Sequence, residues 1–240
     1  YNPQAYTAIF GNSDLWRAAF NSFYVAIVGC VLGLIGTCVA AYPMAYGNFY
    51  GKKLYVIIIM FTMWFNAGIV PLFLTIRQLG LYDSLWALIL NSMITAYNVV
   101  IIRSYFSSIP FSVIESARID GATDYRILFQ LVIPLSKPVL ATVALWLIVG
   151  HWNDYLNPLV LIHSQEHKTL QLFLKELVLN AETSTSNLAS VNDATNKGVA
   201  ALSQQLKNGV LVVSMVPMLV LYPFLQKFFV SGVMLGSVKG

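Results

Sequence analysis

Charge is what this sequence lacks. Only 10% of its 240 residues are Asp, Glu, Lys or Arg, while 58% are hydrophobic. A water-soluble domain carries roughly 25% charged residues, so this chain has too little polar surface to enclose its apolar bulk. The mean hydropathy of +0.69 makes lipid the solvent for much of it. Basic runs are missing as well. The net charge of +4 is scattered along the chain, which argues against a nucleic-acid surface. Cysteines number two, Cys30 and Cys38. Their spacing on one helix separates them by roughly 12 Å, too far for a mutual disulfide, and both read as small apolar packing residues. A phosphate-cradling loop is also missing: Gly47-Asn48-Phe49-Tyr50-Gly51-Lys52-Lys53 has the wrong spacing and no Ser/Thr for a magnesium ion. His163 and His167 lie four apart without a third ligand, which favours a solvated loop over a metal site. The apolar segments hold no Ser/His/Asp set and no paired carboxylates, so no covalent chemistry is expected of this chain.

What is present is an all-α pattern with about five membrane-length segments, at 23–46, 54–76, 84–106, 139–162 and 209–229. The first would extend about 36 Å at 1.5 Å per residue, enough for a ~30 Å hydrocarbon core. Gly29, Gly33, Gly36 and Ala40 form a small-residue stripe along it, which predicts close approach of another helix. Asn66, Gly68 and Pro71 predict a kink in the second segment. Asn91 and Asn98 are seven apart in the third, hence on nearly one face, where they serve either as glue between helices or as part of a polar path. Arg103, near that segment's end, is placed to reach the interface. Residues 1–22 read as an external lead-in with a short interfacial helix over 14–20, Trp16 at headgroup depth, and Asn21-Ser22 as the cap of the next helix. Residues 163–208 form a long polar connection, with an amphipathic piece at 170–179 and a Ser/Thr/Asn stretch at 183–196. That length favours a lid or a docking segment. The last segment carries Pro217 and Pro223, and a tail follows over 231–240.

Between the third and fourth segments, at 109–136, lies a polar, helix-compatible island. Ser112 and Glu115 have capping-box spacing, which predicts a helix start near Val113. Asp120-Gly121 predicts a turn. A second short helix is expected over 123–131, stopped by Pro134. The island runs Glu115-Ser116-Ala117-Arg118-Ile119-Asp120-Gly121 and on to Leu131-Val132-Ile133-Pro134. In this it resembles the coupling loop of ABC importer permeases: Glu-Ala-Ala, three residues, Gly, nine residues, then Ile-x-Leu-Pro. Ser116 replaces the first Ala, and Leu131 and Ile133 exchange branched aliphatics. With Trp152-Asn153-Asp154-Tyr155-Leu156-Asn157-Pro158, Tyr222-Pro223-Phe224-Leu225-Gln226-Lys227 and the tail Gly236-Ser237-Val238-Lys239-Gly240, the chain is similar over nearly its full length to permease subunits of carbohydrate ABC importers, in the branch that takes oligo- and polysaccharides.

The resemblance implies a type I permease core in the bacterial cytoplasmic membrane, crossing it several times, with one more N-terminal helix than is found here. It implies a second homologous permease, two ABC ATPase subunits and an extracytoplasmic solute-binding protein as partners. It also implies that ATP and magnesium bind in the ATPase rather than in this chain. Glu115, Ser116, Ala117, Arg118, Asp120, Gly121, Leu131, Ile133 and Pro134 would then form and position the coupling helix that sits in a groove of the ATPase.

Loop charges assign the sides. Lys52, Lys53, Arg103, Arg118, Arg126, Lys137, Lys227 and Lys239 alternate onto one side with Glu115, Asp120 and Asp124. The other side has six basic and seven acidic residues. The more basic side is the cytoplasmic one, which makes the island (109–136) cytoplasmic and the 163–208 connection external. For substrate, Trp152, Asn153, Asp154, Tyr155 and Asn157 offer aromatic faces and planar polar groups at an external span end, with Asn91 and Asn98 deeper. Interfacial anchoring explains the aromatic pair equally well. The alternatives are a permease for another solute class, a gradient-driven transporter, which would show intramembrane carboxylates and repeats, and a membrane enzyme.

Overall fold

The computed structural model describes residues 13–65, 67–177, 179, 215, 219 and 223. Residues 1–12, the stretch 183–196, most of the fifth segment and the 231–240 tail lie outside them, as does the 222–227 motif apart from Pro223. Every regular element among the described residues is helical. In chain order they are α1 (Ser13–Tyr46), α2 (Lys52–Trp64), α3 (Ile69–Gln78), α4 (Leu85–Asn91), α5 (Ala96–Ser108), α6 (Phe111–Ile119), α7 (Asp124–Leu135), α8 (Lys137–Asn153) and α9 (Leu156–Leu161). A 3-10 turn, Gln165–His167, and a helical stretch at 170–177, here α10, complete them.

Among the described residues, helix α1 alone is long and apolar enough to cross a membrane, and up to four crossings result if each bent pair of helices is one span. It is apolar all round, but its two faces differ in size. Val25, Ala26, Cys30, Cys38 and Ala41 are buried, whereas Trp16, Phe20, Phe23, Ile27, Val31, Ile35 and Val39 stand exposed in a stripe along its length. Over 25–41, small residues inward and large apolar residues outward is the arrangement suited to lipid rather than water. The stripe's close approach is real. A Cβ on Gly33 would stand 2.8 Å from the Met93 carbonyl oxygen, and one on Gly36 would stand 2.9 Å from Ile94. What they meet is the break between α4 and α5 of this same chain.

The readings of the first and third spans are corrected, and the kink expected in the second is present as a break. The lead-in helix and the first span are one continuous 34-residue helix. Asn21 and Ser22 sit inside it and do not cap it, because both side chains find partners on the 166–170 segment. The second span breaks between Trp64 and Ile69, with Gly68 at φ 86°. Pro71 lies in the first turn of α3, where its missing N–H costs nothing. The third span breaks between Asn91 and Thr95 and bends by 49°. Thr95 caps the new helix by accepting from the Asn98 N–H, so Asn91 and Asn98 do not share one helix face.

The chain divides into two compact units. Among the described residues, the first takes those within Tyr1–Ala26, Phe73–Leu88 and Val149–Pro223, and the second those within Ile27–Leu72 and Ile89–Ile148. In the first, Leu15, Trp152, Leu170 and Leu174 form an apolar core. In the second, Val99, Ile102, Phe106, Ile114, Ile127, Val132 and Val143 are fully buried.

Candidate functional site

The island forms two helices around a glycine turn. Helix α6 begins at Phe111, with Pro110 in the cap position and no side-chain cap bond. The expected capping box therefore does not form. Ser112 lies inside the helix, and its carbonyl accepts the Ser116 hydroxyl at 2.8 Å. Proline supplies the start instead, since its fixed φ leads directly into a helix. The far end closes as a Schellman motif: Gly121 N–H donates to the Arg118 carbonyl and Ala122 N–H to the Ala117 carbonyl, both at 3.0 Å. Gly121 has φ 79°, in the left-handed region that a side chain disfavours. Thr123 then caps α7 by accepting from the Arg126 N–H.

Helix α7 does not stop at Pro134. It runs from Asp124 to Leu135 with a wide π turn over Leu128–Val132 and ends at Ser136. Pro134 cannot donate to the Gln130 carbonyl and its ring crowds that group; the wide turn just before it is where the helix absorbs the mismatch. The expected anchors, Leu131 and Ile133, are only half-buried, while Ile127, Leu128 and Val132 point fully inward.

Helix α6 buries only Ile114. Glu115, Ser116, Arg118 and Asp120 are exposed, as are Phe111 and, at 81%, Ile119. Ala117 is half-buried, and Gly121 and Pro134 are exposed. One helix face thus presents apolar and charged groups together to the outside. Arg118 Nη2 donates to Asp124 Oδ1 at 3.2 Å. That carboxylate holds the guanidinium above its ordinary pKa, burial opposing it more weakly. The same oxygen accepts the Tyr42 hydroxyl at 3.0 Å. Beside this bond lies a groove of about 460 Å³ lined by Val39, Tyr42, Pro43, Phe49, Arg118 and Tyr125 among others.

The second candidate cluster falls in the first unit, where the structure separates its members. Trp152 is 4% exposed, with its ring in the core against Leu15, Leu170 and Leu174. It offers no open face there and acts as a packing residue. Asn153 is exposed and its amide donates to the Val149 carbonyl. Asp154 accepts from the Asn157 backbone N–H at 3.2 Å and from the Asn157 side chain at 2.7 Å, which starts α9. Tyr155 is exposed, with Lys175 Nζ 5.8 Å from its ring centre. In the second unit, Asn91 is half-buried and Asn98 buried.

The same first unit holds a set of bonds that local reading missed. Asn21 donates to the carbonyls of Glu166 at 2.8 Å and Lys168 at 3.0 Å, and Ser22 accepts the Leu170 N–H at 2.8 Å. Buried Lys168 pairs with Glu176 at 2.5 Å. Asp83 Oδ1 accepts from the His163 N–H, the Ser164 N–H and the Ser164 hydroxyl. Burial pushes this carboxyl's pKa up, but the Ser164 and His163 donors together outweigh it and hold it below the usual carboxylate range. His163 and His167 are engaged with this loop, and among the described residues no cluster fit for a metal ion occurs.

Comparison with known proteins names the family. Residues 21–191 match the model of the binding-protein-dependent transport system inner membrane component. Over its whole length the chain is 34% identical to the polygalacturonan/rhamnogalacturonan transport system permease protein YtcP of Bacillus subtilis (strain 168), covering 82% of that protein. It is 36% identical to protein LplC of the same organism, again over the whole chain and 80% of the relative. Among solved structures, a bacterial ABC transporter involved in the import of the acidic polysaccharide alginate superposes with a TM-score of 0.81 at 33% identity, covering 94% of this chain and 79% of that one. The chain belongs to the family of binding-protein-dependent transport system inner membrane components and has the type I importer permease fold.

Proposed function

Starting from that membership, we propose that this chain is the permease subunit of an ATP-driven importer that passes oligo- or polysaccharides across the bacterial cytoplasmic membrane. The observation that carries the reading is the island. It matches the coupling-loop spacing from Glu115 to Pro134, and its first helix keeps only Ile114 inside while Phe111, Glu115, Arg118 and Ile119 face out. A helix this exposed and this mixed in polarity is built to be covered by another protein. The partner is an ABC ATPase, which binds ATP and magnesium. Two such subunits, a second homologous permease and an extracytoplasmic solute-binding protein complete the assembly.

The division of charge supports the orientation. Every described charged residue assigned to the basic side, from Lys52 to Lys137, falls in the second unit, and every one assigned to the other side, from Asp14 to Glu176, falls in the first. The second unit's loops therefore face the cytoplasm and the 163–177 segment faces outward, towards the binding protein. Nucleotide-driven closure of the ATPases moves the island and switches the spans between outward- and inward-facing states, a rigid-body change of the kind packed helices permit. The saccharide assignment rests on the named relatives. Of the polar-aromatic run, Asn153 and Tyr155 are the members exposed for contact with a sugar.

The test is co-purification with the chain's genomic neighbours in mild detergent, followed by ATP hydrolysis with binding protein loaded from a panel of neutral and acidic oligosaccharides. The reading expects a stable assembly whose hydrolysis rises with at least one sugar. An isolated chain with no ATPase attached would overturn it.

A further inference from the structure

Resting on that reading, we propose that Tyr42 and Asp124 are positioning residues that pass the island's movement to the first membrane helix. A single carboxylate oxygen, Asp124 Oδ1, accepts from Tyr42 on α1 and from Arg118 on α6, and Asp124 is itself the first residue of α7. Three elements meet at that atom. One helical turn beyond Tyr42, the buried Tyr46 hydroxyl donates to the Phe106 carbonyl in the last turn of α5. The end of α1 therefore holds the island on both sides: at the helix that leads into it and at the start of its second helix.

The surroundings favour transmission over fastening. Helix α6 buries only Ile114, so apolar packing offers it little grip on the rest of the chain. The Arg118–Asp124 pair is exposed, with relative side-chain accessibilities of 40% and 64%, and such pairs add little to stability. Pro43, next to Tyr42, removes a hydrogen bond from the interior of α1 and makes a bend there cheaper. The groove of about 460 Å³ beside the bond leaves room for the side chains to shift. A movement of α6 driven by the ATPase thus reaches α1 through a polar contact at a hinge.

The test uses Tyr42→Phe, Asp124→Ala and the double variant in the complete importer reconstituted in vesicles. Sugar taken up per ATP hydrolysed is measured, with basal hydrolysis, subunit recovery and melting temperature alongside. The proposal predicts full assembly, unchanged melting and unchanged basal hydrolysis, with the uptake-to-hydrolysis ratio falling about five- to tenfold. The double variant should be no worse than Asp124→Ala alone, because both single changes remove the Tyr42–Asp124 contact, and Asp124→Glu should restore part of the ratio. An unchanged ratio, additive losses, or losses that follow the melting temperature would overturn it. Wild-type chain that recovers no ATPase would overturn the importer reading itself, and this inference with it.

Discussion

Gly80 and Gly121 close two helices with the same backbone bonds. At Gly80 the Leu81 N–H reaches the Ile76 carbonyl and the Gly80 N–H the Arg77 carbonyl; at Gly121 the matching donors reach Ala117 and Arg118. Both glycines have positive φ, 70° and 79°. Their settings differ. The chain after Gly80 runs into Asp83, whose carboxylate is used up by three donors at His163 and Ser164. The chain on either side of Gly121 carries Arg118, Ile119, Asp120 and Tyr125 on the outside. In the first unit Asn21, Ser22, Lys168 and Asp154 likewise find partners within the chain. The island pairs Arg118 with Asp124 and Arg126 with Gln130, all at the exposed surface. Identical turn chemistry thus serves two settings, one followed by a carboxylate bound to the 163–164 segment and the other set inside the charged island.

Substitutions can break this contrast. The largest effect is expected of Trp152→Ala, which empties a core site and should cost about 3–5 kcal/mol of stability. By contrast, Ile119→Ala on the island should stay within about 0.5 kcal/mol while weakening ATPase association; thermal unfolding with pull-down separates the two. Asn21→Ala orphans two carbonyls, and a loss of about 1–3 kcal/mol is expected, read as faster amide exchange over 166–170. Gly80→Val and Gly121→Val should each cost about 1–2 kcal/mol from the left-handed backbone. Only the Gly121 change should also abolish sugar-stimulated hydrolysis, and equal functional loss from both would erase the contrast.

The smallest effect concerns acid. Asp83 has a folded pKa below the carboxylate range, so its contribution is present above the unfolded value near 3.9 and disappears as pH falls through the folded one. Asp83→Asn should therefore flatten the stability profile below about pH 4, and an unaltered acid limb would remove Asp83 from the account.

Helix content, the break near Gly68, the Gly121 turn and the close approach at Gly33 were legible because each rests on local residue chemistry. What the sequence hid was long-range. Asn21-Ser22 looks like a cap because two polar residues precede an apolar run, but their partners lie 145 to 148 positions away. Tyr42 carries no local sign of its bond to Asp124, 82 positions on. Asn91 and Asn98 appear as one face only if the helix is continuous, and the Thr95 cap that divides it is itself a local signal. Ser112-x-x-Glu115 has capping spacing, yet Pro110 two residues earlier starts the helix first. Trp152 reads as a sugar platform from its polar neighbours, and only the 170–174 segment folding over it makes it core.

The central claim is that the exposed face of α6 lies against an ATPase, and cross-linking tests it most directly. Both native cysteines are buried, so Ile119→Cys introduces one reactive thiol on that face. Membrane vesicles carrying the co-expressed importer are treated with a short thiol-to-amine cross-linker, with Leu156→Cys in the first unit as the control. The account predicts a covalent product with the ATPase from position 119 and none from 156. A product from 156 alone, or none from 119 while the assembly remains intact, would contradict it.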